Sequence, residues 1–336
     1  MIKKINKKYF KIFIFTCLFF LITHNNSFSN TNETLFKDWL VGFQKKALDK
    51  GISRETINIA FKNVKFLDQV IKYDRKQPEF FEDTITYINR RATQSRVKTA
   101  LKLLQKNESL FIEIENKYNV EKEILLSLWG IETNFGKHVG KMDIISCLAT
   151  LSFDKRRSDF FSKQLLTLLT LIENKVIYPD ELFGSWAGAY GNFQFMPSTI
   201  SNYAVDYDNN NKIELKSSLP DALASAANYI SSIGWKKGEP CFKQVKLTNK
   251  IREVDLNISA RDIKNRKNMS SWIKKGIKSI NDTNLKENYQ SALITPDGYE
   301  KGPKYLVFSN YEKILQWNRS LRFGITVCTL AEKIKS

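Results

Sequence analysis

The chain has 336 residues, 42% hydrophobic and 26% charged, with a formal net charge of +18. That length supplies a large buried core in one domain or two, and the composition excludes a wholly disordered chain. The basicity points to an anionic polymer or surface, or to a compositional Lys/Asn bias. No zinc-finger spacing, homeodomain or RNA-binding aromatic signature is present, so nucleic acid is not expected as a partner.

The chain opens with "MIKKINKKYFKIFIFTCLFFLITHNNSFSN". Lysines come first, then an apolar stretch from Ile12 to Ile22, then Ser27-Phe28-Ser29. A basic segment, a short apolar segment and small residues at the end describe a secretory signal peptide, cut after Ser29. The alternative, an uncleaved anchor, needs about 20 apolar residues. Cys17 lies inside the apolar stretch, so no lipid anchor is expected there. Residues 1–29 hold five lysines and no acid, so their removal takes the charge from +18 to +13. Export to the periplasm further disfavours nucleic acid.

From Glu33 to Asn134 the pattern is helical. Leu35, Phe36, Trp39, Leu40 and Phe43 recur at three- and four-residue steps. Gly51 ends that helix and Ser53 is the expected N-cap of the next. Pro78 is expected near the start of a further helix. "NESLFIEIENKYNV", "EKEILLSLWGIET" and "SDFFSKQLLTLLTLIENK" continue the series. Residues 184–196 mix glycines with aromatics and form no regular element. Pro197 opens a short helix, and "LPDALASAANYISSIG" is another, with Pro220 near its start and Gly234 at its end.

The texture then changes. "CFKQVKLT", "REVDLNIS", "SALITPD" and "KYLVFS" alternate as short strands, with "PDG" at 296–298 as a turn. Helix returns from about Tyr311. Cys147, Cys241 and Cys328 are far apart and odd in number. They permit at most one disulfide and leave one thiol; buried small hydrophobes are the expected role.

Three stretches carry chemistry. In "SLWGIETNFGKHVG" Glu132 follows Leu125, Leu128 and Trp129 on one helical face. Desolvation there favours the protonated acid, which can donate to a leaving oxygen. The alternative is a helix-end Glu that merely reaches solvent. In "GSWAGAYGNFQFMPST" the glycines allow close backbone approach to a ligand. Trp186, Tyr190, Phe193 and Phe195 offer flat faces, and Ser185 and Gln194 offer hydrogen bonds. The alternative is a tight loop with a packed aromatic core. In "DYDNNNKIELKSSLPD", Asp206, Asp208 and Asn210 stand at positions 1, 3 and 5 of an EF-hand-like loop, with the Lys212 carbonyl at 7. Asn211 replaces the usual Gly and tolerates the left-handed backbone, and Ser217 replaces the usual Glu. A polar turn without an ion is the alternative.

"GIETNFG", "LATLSFDKRRSDFF", "GSWAGAYGNFQFMPST", "YAVDYD", "DALASAANYI" and "WNRS" occur in the order of the membrane-bound lytic murein transglycosylase B family, which the chain resembles from about residue 33 to its end. The resemblance implies a mainly α (α+β) fold with a lysozyme-like catalytic core. Its parts are an N-terminal helical region (30–119), the core (120–239), a small β-containing insertion (240–310) and a C-terminal helix (311–336).

It also implies peptidoglycan glycan strands as substrate, with Glu132 as the single acid and base. Ser185, Gln194, Tyr229 and Asn318 match substrate-binding positions. Trp317 stands where the family more often has Tyr, so it keeps a platform role and no hydrogen bond is expected from it. Arg156 and Arg157 match a pair thought to meet the peptide stem; their alternative is a solvated helix start. An ion site at Asp206, Asp208, Asn210 and Lys212 is closed by Asp221, with calcium as its structural ion. Catalysis needs no cofactor. A monomer is expected, with the cell-wall synthesis or division machinery as candidate partners.

Two rivals remain. A hydrolytic muramidase needs a second carboxylate, with Asp143 and Asp154 nearest in sequence. A non-catalytic peptidoglycan-binding protein would keep the cleft without turnover.

Overall fold

The structure, a computed structural model, describes residues 32–77, 81–280 and 289–336. The expected signal peptide and the helix start expected at Pro78 lie outside them. The first helix, α1, covers 32–49. After it come α2 (Arg54–Phe61), α3 (Asp68–Arg75), α4 (Thr84–Arg91), α5 (Gln94–Lys106), α6 (Glu108–Tyr118) and α7 (Lys122–Thr133). Gly51 takes φ +88°, and the Ser53 hydroxyl accepts from the Thr56 amide as the N-cap of α2.

Strand β1 (Met142–Asp143) leads into α8 (Ile144–Phe153) and α9 (Ser158–Glu173). β2 (Phe183–Gly184) pairs antiparallel with β1. Helices α10 (Pro197–Tyr203) and α11 (Leu219–Ser232) follow. Helix α7 is apolar nearly all round, and Leu125, Leu126 and Leu128 are fully buried; such a helix has to run through the interior. Each of those leucines contributes about 1.5–3 kcal/mol of burial. α8 is buried in the same way and packs on α9, while α7 is backed by the C-terminal helix. The core containing them is contiguous from Phe36 to Ile334.

Residues 240–310 form strands β3 (Phe242–Leu247), β4 (Leu256–Asn257), β5 (Lys267–Asn268), β6 (Ile277–Ser279), β7 (Gln290–Ile294) and β8 (Lys304–Val307). The strand order is β4-β7-β8-β3-β6, with β5 also on β7. "REVDLNIS" is mostly a 3-10 turn followed by the two residues of β4, where the alternation suggested a longer strand. Alternate residues of the sheet serve two cores. Ala292, Ile294, Tyr305 and Val307 join the main helical core. Leu293 and Leu306 join a second cluster with Trp272 of the short helix α12 (Met269–Lys274). The sheet is therefore covered on both faces and is built into the body.

Two further ties hold it. Asp297, in the 296–298 turn, accepts from the Thr84 amide and hydroxyl at the start of α4 and from Arg322. Cys241 and Cys328 form a disulfide, and Cys147 is a buried free thiol. Two of the three cysteines are thus a covalent bridge, not small hydrophobes. Burial first, then the Asp143 charge, pushes the Cys147 thiol up to about 12, so it is inert.

The C-terminal segment is two helices, α13 (Ser309–Trp317) and α14 (Leu321–Lys335). They break at 318–320, where Ser320 caps α14 through the Phe323 amide. That break places Trp317 and Asn318 at a helix end, free of the regular face. Among the described residues, no helix is long and apolar enough to cross a membrane.

Candidate active site

Glu132 is the penultimate residue of α7 and is half-buried. The helix stops abruptly, because Asn134 and Phe135 take φ 51° and 60° and Gly136 takes φ 80°. That reversal needs support, and the glycine-aromatic loop supplies it. Thr133 Oγ1 donates to the Asn192 carbonyl at 2.7 Å, and Trp129 Nε1 donates to Asn192 Oδ1 at 3.0 Å. Both contacts are buried. Asn192 also donates through Nδ2 to the carbonyls of Leu215 and Lys216. One asparagine therefore clamps the end of α7 to the loop and to the acidic segment beyond it. Nothing in the sequence singled it out.

Trp317 Nε1 donates to Glu132 Oε1 at 2.9 Å. This corrects the expectation that Trp317 brings a platform and no hydrogen bond: its indole N–H donates to the carboxylate. The ring is held by a column of aromatics. Trp317 stacks on Tyr229 at 5.1 Å, and Tyr229 on Tyr203 at 4.6 Å. Phe195 lies tilted against Trp317 at 5.3 Å, and Phe193 lies edge-on at 6.2 Å. Tyr229 donates its hydroxyl to the Gln316 carbonyl at 3.0 Å. Burial, with Tyr203 beside it, pushes that phenol up to about 12, so it stays protonated. Asn318 caps α13, half-buried, one residue past Trp317.

Ser185 and Gln194 shape the loop. Ser185 Oγ accepts from the Ala189 amide at 3.0 Å. Gln194, at φ 51°, donates to the carbonyls of Val139 and Gly191. The loop glycines do not make room for a ligand. A Cβ at Gly184 would meet Ala189 O at 2.1 Å, one at Gly188 would meet Leu148, and one at Gly191 would meet Leu215. They let the loop press onto its own protein.

Arg156 and Arg157 both face the buried carboxylate of Asp74 on α3. Arg156 also donates to the Asp74 carbonyl at 2.8 Å, so the pair ties α3 to the start of α9. The two rival carboxylates are engaged too. Asp143 is the N-cap of α8, accepting from Ser146, and Asp154 pairs with Arg75 at 2.9 Å. An open cavity of about 450 Å³ lies elsewhere, among Ile85, Phe242, Tyr305 and Glu332. None of the site residues assigned from sequence lines it, and its walls lack a reactive constellation.

In the acidic segment Asp221 joins Asp206 and Asp208, the grouping that the resemblance implies and that loop spacing alone, with Ser217 at the closing position, does not. Oxygens of Asp206, Asp208 and Asp221 lie within 4.8 Å of one another. Asp221 is fully buried and accepts from the Tyr207 and Glu214 amides. Asp206 accepts from the amides of Asn210 and Asn211, and Asn210 Oδ1 accepts from Lys212 N. Asn211 takes φ 64°. A carboxylate has about four acceptor sites, so these amide bonds leave capacity for a hard cation among oxygen donors.

Comparison with known proteins follows the same lines. Residues 35–332 match the Transglycosylase SLT domain. A stretch of 123 residues is 43% identical to membrane-bound lytic murein transglycosylase B of Escherichia coli (strain K12), covering 36% of this chain and 34% of that protein. The match thus spans about a third of that relative's length.

SltB3 from Pseudomonas aeruginosa, in complex with NAG-anhNAM-pentapeptide, superposes with a TM-score of 0.80 at 32% identity, covering 90% of this chain and 80% of that one. The Escherichia coli lytic transglycosylase Slt35, in complex with calcium, superposes with a TM-score of 0.74 at 27% identity, covering 88% and 92%.

Proposed function

The chain belongs to the Transglycosylase SLT domain family, and from that premise we propose that it is a peptidoglycan lytic transglycosylase with Glu132 as its single acid and base. The observation that carries this reading is the held carboxylate. Glu132 stands at the end of a buried helix, gripped by Trp317 at 2.9 Å beside the glycine-aromatic loop.

In the proposed reaction, Glu132 gives its proton to the oxygen linking C1 of N-acetylmuramic acid to N-acetylglucosamine, and the C1–O bond breaks. The acetamido oxygen assists at C1. The Glu132 carboxylate then takes the proton of the sugar's own C6 hydroxyl, and O6 bonds to C1. One bond breaks and one forms, Glu132 regains its proton, and no water is consumed. The nucleophile is tethered, so effective molarity replaces an activated water. A hydrolytic enzyme would use a second carboxylate. The engagement of Asp143 and Asp154 elsewhere favours the one-carboxylate route. SltB3 binds NAG-NAM-pentapeptide and NAG-anhNAM-pentapeptide, compounds of the substrate and product classes this route requires.

We assign Ser185, Gln194, Tyr229 and Asn318 to the sugar-binding surface, and Arg156 and Arg157 to its edge, where the peptide stem would lie. Asp206, Asp208, Asn210, the Lys212 carbonyl and Asp221 would hold calcium, which would brace the 206–221 loop. We place the protein in the periplasm. The Cys241–Cys328 bridge supports this, because such bonds persist in oxidising compartments.

Glu132→Gln keeps the shape and removes the proton. It should bind peptidoglycan sacculi as the parent does and release soluble fragments at least about 100-fold more slowly. Release at the parental rate would refute the assignment of Glu132. Binding and cleavage lost together would point to a folding defect, which a melting curve reads directly.

A further inference from the structure

We propose that the face built by residues 248–255 and the end of α12 is a docking surface for an anionic phospholipid bilayer. It shares no residue with the site around Glu132, so it stands or falls apart from the reaction assigned there.

Two ties make these segments one face. The Thr248 amide and hydroxyl both donate to the Gly276 carbonyl. Asp255, 1% exposed, is held by Lys275 at 2.9 Å, Lys267 at 3.2 Å and Arg252 at 3.3 Å. Burial opposes its charge, but the three cations hold it at about 2, below the usual carboxylate range. One fixed carboxylate thus sets three cations in place. An ammonium carries three donors, so the lysines keep donors for phosphate oxygens. Lys250 and Lys274 add two exposed cations on the same segments, against one exposed acid, Glu253. Residues 248–280 hold nine basic and three acidic residues, a net +6 of the chain's +18. A field of that sign draws anions in from beyond contact distance.

The apolar residues among these cations identify the partner. Val254, Ile258 and Ile273 are 62%, 70% and 60% exposed. Val254 adjoins Asp255, and Ile273 lies two residues before Lys275. Branched aliphatics beside exposed cations match a bilayer surface, where cations meet headgroup phosphates and aliphatics reach the acyl boundary. They do not match a glycan, whose rings need exposed aromatic faces. Trp272 is the only aromatic residue from 248 to 280, and it is fully buried.

The test uses the chain from residue 30. That chain keeps the whole core from Phe36 to Ile334 and leaves out the apolar stretch from Ile12 to Ile22, which would itself bind lipid. Binding is measured to vesicles of phosphatidylcholine alone and of an equal mixture with phosphatidylglycerol, with sacculus binding and melting temperature alongside. The parent should prefer the mixed vesicles by at least about ten-fold. The preference should vanish in about 1 M salt, where the Debye length is about 3 Å. Lys250→Gln combined with Lys274→Gln should weaken binding to the mixed vesicles about 30-fold, at about five-fold for each cation near the surface. Ile273→Ser should weaken it several-fold at every salt concentration. Both proteins should melt and bind sacculi as the parent does.

Equal binding to the two kinds of vesicle, or a double variant that binds the mixed vesicles as the parent does, overturns the proposal. A double variant that loses affinity for sacculi instead shows that the face meets the carboxylates of the polymer, and overturns it too. If the double variant melts early, Lys274→Gln alone decides: a loss of about five-fold supports the proposal and parental binding overturns it. An active Glu132→Gln protein would refute the transglycosylase reading and leave this face untouched.

Discussion

Asn192 shows how a single side chain sets the angle at which Glu132 is presented. Its carbonyl and amide take up the Thr133 hydroxyl and the Trp129 indole, and its own N–H groups reach Leu215 and Lys216. At 7% exposure, water cannot replace those partners. Asn192→Ala would take the side-chain partner from the Trp129 N–H and from the Lys216 carbonyl, at about 1–3 kcal/mol for each buried group, while the Leu215 carbonyl keeps the backbone N–H of residue 192. The expected result is a lower melting temperature and a rate that falls more than sacculus binding does. A variant that melts and cleaves like the parent would show that the clamp is dispensable.

The proposed acid stood out in the sequence, because three apolar residues at helical spacing lead up to Glu132. Asn192 and the donor role of Trp317 were not. Their partners lie 63 and 185 residues away. An asparagine among glycines reads locally as a turn former, and a tryptophan reads as a flat face.

At the scale of elements, the helices were readable because their caps are local. Ser53 and Gly51 are seen in the structure in the roles that their types suggest. The sheet was readable only where a strand alternates for four or more residues, as in β3, β7 and β8. β4, β5 and β6 are two or three residues long, too short for any period to show, and α12 is six residues that bury Met269 and Trp272.

The 206–221 loop is the element with the most specific expectation. Its three carboxylates converge within 4.8 Å, and like charges that close repel. A divalent cation relieves this. Calcium at about a hundred-fold excess over its dissociation constant should add about 2.7 kcal/mol of stability, raising the melting temperature by several degrees. Asp221→Ala removes the buried member and should abolish the rise. An equal rise in parent and variant would exclude this loop as the site.

For the whole molecule, residues 240–310 are the part whose role the sequence left open. The structure answers with attachment. One face of the sheet completes the main core, the Asp297 turn locks onto α4 and α14, and the Cys241–Cys328 bond staples the first of these residues to the last helix. That bond closes a sequence separation of 87, which in chain-entropy terms stabilises the folded state by about 4.5 kcal/mol. Reduction should therefore lower the melting temperature by about 5 °C or more, with the sheet's own core around Trp272 exposed along with the helices. A melting point unchanged on reduction would show that packing alone carries the attachment. The cysteines were read as far as their number allowed, since odd count and wide spacing leave the pairing to the fold.

The reaction is tested most directly by digesting purified peptidoglycan with the purified protein and weighing the products. The expected products are fragments one water lighter than hydrolysis products, each ending in a 1,6-anhydromuramoyl residue with no reducing end. Reducing muramic acid ends would contradict it, because water and not the C6 hydroxyl would then be the nucleophile.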